Sequence, residues 1–164
     1  MPTIRAAVPA DLSAIGRLGA MLVRLHHEMD AARFIAATAQ TAEGYAGFLG
    51  TQLEEPDALV MVAERAGVVV GYSYAGMEGQ DWMTLRGPAG VIHDLVVDAA
   101  VRNAGTGRAL LEATIAELER RGAPRVVLST AARNEAAQRL FARAGFRPTM
   151  VELTRERGAL TDRS

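Results

Sequence analysis

Cysteine is absent from the chain. That removes disulfides, thiolate metal ligands and a cysteine nucleophile together. No apolar run approaches the roughly 20 residues that a membrane-spanning helix needs, so a membrane partner is not expected. The N-terminus lacks the charged-then-apolar pattern of a signal peptide, which makes the cytoplasm the expected location. Neither sign of charge is in excess. The formal net charge is -1, and without a basic stripe a nucleic-acid partner has no electrostatic footprint. Repeats and low-complexity linkers do not occur either. The 164 residues read as one domain, 1–164, large enough to bury a core.

What is present is an alternation of strand and helix signals. Thr3 to Val8 reads as an edge strand. From Asp11, read as a helix cap, Leu12, Ile15, Leu18, Leu22, Leu25 and Met29 keep a helical stripe. A weaker helix covers about 41–53. Ala58 to Glu64 and Val68 to Tyr74 are apolar, β-branched runs joined through Arg65-Ala66-Gly67, a hairpin signal. Gln80 to Ala89 is a polar loop carrying the only tryptophan, Trp82. The apolar segment Val91 to Val97 precedes a helix over 106–121, which stops at Gly122 and Pro124. A strand follows at Arg125 to Thr130, and beyond a last helix Phe146 to Leu153 reads as a final strand. Strands interleaved with helices, with an antiparallel hairpin among them, define an α/β sandwich around a mixed sheet.

The most informative stretch is Arg102-Asn103-Ala104-Gly105-Thr106-Gly107, where a buried strand gives way to the first turn of a helix. Amides at a helix start have no intrahelical partner, and the helix dipole adds partial positive charge. Glycine lets the backbone approach closely, so the place suits a phosphate, and Arg102 adds a mobile charge. A nucleotide-triphosphate loop would need Lys-Ser/Thr after its glycines, but Gly107 is followed by Arg108-Ala109. A dinucleotide site would need an acidic residue about twenty positions on, and the strand from Arg125 to Thr130 has none.

What remains resembles motif A of the GNAT N-acetyltransferases, Arg/Gln-x-x-Gly-x-Gly/Ala, with Asn103 where a third glycine is common. A second segment, Asn134-Glu-Ala-Ala137-Gln-Arg-Leu140-Phe141-Ala-Arg-Ala-Gly145-Phe146, resembles the family's motif B and follows in the required order. The resemblance implies a mixed, mainly antiparallel central sheet flanked by helices, with splayed central strands. It implies acetyl-CoA as cofactor, its pyrophosphate on the amides of Asn103, Ala104, Gly105, Thr106, Gly107 and Arg108. Its pantetheine arm would run along Leu95, Val96 and Val97. Asn134, Ala137, Leu140, Phe141 and Arg143 would stand beside it. Asn134 is also a helix cap by pattern, and Arg108 and Arg143 also suit plain solvated positions.

His93 and Asp94 interrupt an apolar strand, where titratable groups are costly without a role or partner. Period-two alternation puts His93 with Val91, Leu95 and Val97, and Asp94 with Ile92 and Val96, so only one faces the groove. An ammonium must lose its proton before attacking a thioester, and histidine has a suitable pKa, which favours His93 over Asp94 as the base. The resemblance thus implies direct transfer of an acetyl group to a primary amine of a small molecule or peptide. No acyl-enzyme is expected, since no serine sits in a nucleophile elbow. Phe141 stands where many members carry a tyrosine proposed to protonate the departing thiolate, leaving Tyr72, Tyr74 and Ser129 as the protein donors, with Ser129 or a water favoured. The same substitution suits the alternative, a CoA-binding regulatory domain without turnover. The acceptor pocket is expected from His26, Met29, Phe34 and Tyr45 and from the loop near Trp82. His26 and His27 read as a solvated helix end, so no metal is expected, and the chain leaves room for a homodimer.

Overall fold

The apolar stripe that begins at Leu12 forms α1 (Leu12–Met29), with Ile15 and Leu18 fully buried, in a computed structural model that describes residues 1–160. Around it the chain forms β1 (Thr3–Ala6), α2 (Thr41–Gln52), β2 (Ala58–Arg65), β3 (Val68–Glu78) and β4 (Ala89–Val97). Then come α3 (Thr106–Arg120), β5 (Val126–Leu128) and α4 (Glu135–Arg143). The sheet order is β1-β2-β3-β4-β5. The first four strands pair antiparallel and β5 joins β4 in parallel. This is the mixed, mainly antiparallel sheet that the resemblance implies. Helices α1 and α2 cover one face, packing Ile15, Leu18 and Leu49 on Val60, Val62, Tyr72 and Val96. Helices α3 and α4 cover the other, with Leu111, Leu118 and Phe141 on Leu59, Ala75 and Ile92.

Two irregularities of β4 build the site. Tyr74 pairs with Asp94 but Ala75 pairs with Ile92, so His93 is an extra residue, a β-bulge. The bulge resets the alternation. Ile92 and Leu95 belong to the α3–α4 face, whereas Asp94 bonds to Tyr72 on the α1–α2 face. The expectation that Asp94 shares a face with Ile92 is therefore corrected. The second irregularity is the end of the β4–β5 pairing at Ile92 and Leu128. Past that point the strands splay, and β4 continues alone on this side to Val97.

Two expectations fail for local reasons. Asp11 does not cap α1. Its carboxylate accepts from the Val8 amide at 2.9 Å and from Arg5 Nη1 at 2.7 Å, while Arg5 Nη2 reaches Glu64 at 2.7 Å. The bond from Arg5 holds the Asp11 carboxyl below its ordinary range. The final strand does not form either. Residues 147–160 are irregular and exposed. Pro148 lacks the N–H that a sheet ladder uses, and Glu152 instead forms an ion pair with Arg33.

Helices α1 and α2 meet through glycines. A Cβ on Gly16 would stand 2.3 Å from the Ala42 carbonyl oxygen, and one on Gly19 2.5 Å from the Tyr45 ring. Gly16→Ala is therefore expected to destabilise the fold by about 1–3 kcal/mol through overpacking. The roughly 0.5–1 kcal/mol gained in helix propensity offsets only part of that cost. Gly47→Ala on α2, with nothing within 4 Å of the added Cβ, should gain about 0.5–1 kcal/mol. Thermal denaturation should lower Tm for the first and raise it for the second. Shifts of the same sign would contradict this packing.

Candidate functional site

A cavity of about 270 Å³ opens where β4 and β5 part, floored by Ile92, His93, Asp94 and Leu95 and walled by Leu128 and Ser129. Its depth follows from the backbone. The Asp98 amide donates to Val70 on β3 at 2.8 Å, so by alternation Val96 also bonds toward β3, while Leu95 and Val97 turn their peptide groups the other way. Those groups have no β5 partner. Val97 O instead accepts Arg102 Nε at 3.2 Å. Val96, expected to touch a cofactor, has its side chain in the α1–α2 core and its backbone against β3. It is withdrawn from the groove.

Both titratable residues of β4 line the cavity, because the bulge brings them to one side. The Asp94 carboxylate accepts from the Tyr72 hydroxyl at 2.9 Å. Burial raises the Asp94 pKa, and the Tyr72 bond offsets that only in part. Burial and the adjoining Asp94 carboxylate likewise push the Tyr72 and Tyr45 phenols up, so both stay protonated donors. His93 is half-exposed. Its Nε2 lies 3.1 Å from Glu78 Oε1, and its ring packs on Tyr74 at 4.9 Å. His26 pairs Nδ1 with the Leu22 carbonyl at 2.9 Å. A carbonyl only accepts, so Nδ1 carries the proton and Nε2 is the acceptor of the neutral ring.

Beyond Val97 the chain makes a 3-10 turn, Ala99–Val101, capped by Asp98. Asn103 and Gly105 then take positive φ, 65° and 78°, and Gly105 is the N-cap of α3. The first helical bond runs from the Ala109 amide to Gly105 O at 3.0 Å, so the amides of Thr106, Gly107 and Arg108 have no helical partner. The Thr106 hydroxyl is buried and, among the described residues, also lacks a hydrogen-bond partner. A Cβ on Gly107 would meet only Val97 and Leu140, at 3.6 and 3.7 Å. This set fits an anionic group such as a phosphate, held by backbone donors.

The remaining expected residues divide. Asn134 caps α4, accepting from the Ala137 amide at 3.1 Å, and Asn134, Ala137 and Phe141 line the cavity. Leu140 packs beside them in the α3–α4 core. Phe141 is buried edge-on to Phe146, with ring centres 6.0 Å apart. Arg108 is exposed and paired with Glu112, and Arg143 is exposed. Of the acceptor-side residues, His26, Phe34 and Tyr45 line the cavity. Met29 and Trp82 do not. The Met29 carbonyl takes Arg133, and Trp82 is 76% exposed in the turn closed by Asp81 and Arg86. Sequence reasoning missed Leu22, Val23, Ile35 and Thr130 on the wall, and Tyr72, a candidate thiolate donor by sequence, bonds to Asp94 instead. Leu22 was in the helical stripe, and its spacing from His26 was the available signal.

Residues 23–146 match the family described as Acetyltransferase (GNAT) family, so the chain belongs to the GNAT family. Among curated proteins it is similar to a mycothiol acetyltransferase of Thermobispora bispora, 38% identical over 96 residues, 56% of this chain and 31% of that one. It is also similar to a mycothiol acetyltransferase of Propionibacterium freudenreichii subsp. shermanii, 30% identical over 108 residues, 66% and 33% of the two chains. The chain thus spans about a third of the length of these relatives. An aminoglycoside N-acetyltransferase solved in complex with CoA shares the fold, with a TM-score of 0.71 over 96% of this chain and 95% of that one, at 17% identity. No helix among the described residues is long and apolar enough to cross a membrane.

The raised pKa of Asp94 has a stability consequence. The folded protein holds this proton more tightly than the unfolded chain, whose Asp titrates near 3.9. Ionising Asp94 therefore costs stability as pH rises from about 4 through the raised folded pKa. Asp94→Asn, which still accepts from Tyr72, should show a higher Tm than the parent at pH 7. The two curves should converge below about pH 4. A lower Tm for the variant at pH 7 would contradict the burial of this charge.

Proposed function

We propose that the chain is an N-acetyltransferase, moving an acetyl group from acetyl-CoA to a primary amine by direct attack in a ternary complex. The observation that carries the reading is the unpaired stretch of β4. The peptide groups of Leu95 and Val97 stand between the free amides at the start of α3 and the Asp94 carboxylate. The amides of Gly105 to Arg108 and the Arg102 guanidinium would hold the pyrophosphate, and Leu95 and Val97 the pantetheine arm. Acetyl-CoA supplies an acyl group already activated as a thioester. Asn134, Ala137 and Phe141 close the far wall. Holding two reactants in line is then most of the catalysis.

Asp94 is the proton acceptor in this reading, in place of the favoured His93. An alkyl ammonium in water titrates near 10.4, far above a carboxyl near 3.9. Burial lowers the first and raises the second, so transfer from ammonium to Asp94 becomes feasible inside the cavity. His93 is the second candidate, supported by its contact with Glu78. That contact leaves Nδ1 as the acceptor when Nε2 carries the proton. Ser129 lies just past the end of β5 on the cavity wall, where it can donate to the departing thiolate. A thiol near pKa 8.5 leaves without much help, which is compatible with Phe141 at the usual tyrosine position. The mycothiol acetyltransferase relatives support acetyl transfer as the chemistry.

Gly107→Ala should weaken CoA binding at least about tenfold by blocking backbone approach, with Tm little changed, because the added Cβ meets Val97 and Leu140 only at ordinary contact distances of 3.6 and 3.7 Å. Unchanged CoA affinity in calorimetry would contradict the placement of the pyrophosphate. Asp94→Asn should lower turnover by about two to four orders of magnitude with CoA affinity unchanged, and should remove the acidic limb of the rate profile. The same loss in His93→Ala, with Asp94→Asn near normal, would move the base to His93. CoA binding without thiol release from any amine would leave a CoA-binding module.

A further inference from the structure

The part of the cavity beyond Asp94 carries a chemical bias. We infer that the acceptor is a small monoamine with an apolar, preferentially aromatic, body and no carboxylate. This rests on the acetyl-transfer reading above and specifies its substrate. The wall is Leu22, Val23 and His26 of α1, Phe34 and Ile35 of the connection to α2, and Tyr45 of α2. Asp94 is the one carboxylate among the described residues lining the cavity, and no arginine lines it. The chain has no lysine at all.

Charge counting follows. One buried carboxylate neutralises one ammonium. A second ammonium on the same molecule would be desolvated against aliphatic and aromatic walls with no counter-ion. Glu78 is outside the cavity lining, already engaged by Arg86 at 3.0 Å and by His93 at 3.1 Å. A carboxylate on the acceptor would find no arginine or lysine in the lining, only the imidazoles of His26 and His93, the first bonded to the Leu22 carbonyl and the second against Glu78. Arg33, next to Phe34, stands over that ring at 4.9 Å, is held by Glu152 and is not part of the cavity lining. Polyamines, aminoglycosides and free amino acids are all disfavoured by the same inventory.

The apolar bias has its own evidence. Ile35 lines the cavity yet is 79% exposed, so an apolar body resting on it removes surface from water that the protein alone leaves wet. Phe34 and His26 meet edge-to-face at 4.9 Å, and Tyr45 is seated by the absence of a Cβ on Gly19. These rings offer both face and edge to an aromatic guest. The volume, about 270 Å³ in all, is room for roughly nine water-sized groups, part of which the reacting thioester must share. The acceptor is therefore small.

The test is thiol release from acetyl-CoA by the unmodified protein, with kcat/KM measured for phenethylamine, methylamine, phenylalanine, spermidine and kanamycin. Phenethylamine should exceed methylamine, which lacks the body, by about 100-fold, and phenylalanine, which adds a carboxylate, by a similar factor. Spermidine and kanamycin should lie as low as phenylalanine. Ile35→Glu, at an exposed position that leaves the core untouched, adds a second carboxylate. It should raise the spermidine-to-phenethylamine ratio about tenfold. A preference for spermidine, kanamycin or phenylalanine in the parent would overturn the acceptor class and leave acetyl transfer standing. An unchanged ratio in Ile35→Glu would overturn the placement of the acceptor against Ile35. No thiol release with any of the five, while CoA binds, would defeat the transfer reading itself and this inference with it.

Discussion

His93 has no partner of its own on β3, and the break it makes in β4 divides the strand's duties. Before the break, Ile92 belongs to the α3–α4 core; after it, Asp94 and Val96 belong to the α1–α2 side. A regular strand would have put Asp94 on the face of Ile92, beneath α3 and α4. With the bulge, a carboxylate reaches the mouth of the splay and meets Tyr72. The same part of β4 loses β5 beyond Ile92 and Leu128. One strand thereby supplies amides without a strand partner and a titratable side chain within a few residues of each other.

The surrounding structure is arranged to tolerate this. Asp94 is costly where it sits, and burial raises its pKa even with the Tyr72 hydroxyl as partner. The α1–α2 core offsets that cost with fully buried Ile15, Leu18, Leu49, Val62 and Tyr72, each aliphatic side chain contributing about 1.5–3 kcal/mol. Close packing of α1 on α2 through Gly16 and Gly19 also fixes Tyr45, so one contact stabilises the fold and shapes the cavity. The loop after β4 has the complementary electrostatics. Positive φ at Asn103 and Gly105 ends the extended chain and starts α3 with its amides free.

Local signals in the sequence were legible. The glycines at the start of α3, the Asn134 cap and the helical stripe of α1 depend on neighbours within a turn or two, and each reads directly from residue type and spacing. Features that depend on distant partners were not. The bulge at His93 exists because of how β3 and β4 register, which no pattern within β4 records. Asp11 has the residue type of a cap, but Arg5 and the Val8 amide compete for it more effectively. Phe146 to Leu153 has strand composition, yet forms no pairing, and Glu152 goes to Arg33. Trp82 and Met29 were placed near the acceptor on sequence proximity alone, and the turn at 81–86 and the end of α1 carry them clear of the cavity.

The central claim is that the amides of Leu95 and Val97 have no strand partner on the β5 side and are the ones a cofactor takes up. Amide hydrogen exchange resolved to single residues tests it directly. In the free protein both amides should exchange much faster than that of Val96, which faces β3. Saturating acetyl-CoA should slow Leu95 and Val97 strongly and leave Val96 as it was. Leu95 and Val97 already protected in the free protein, or unaffected by saturating acetyl-CoA, would contradict the account.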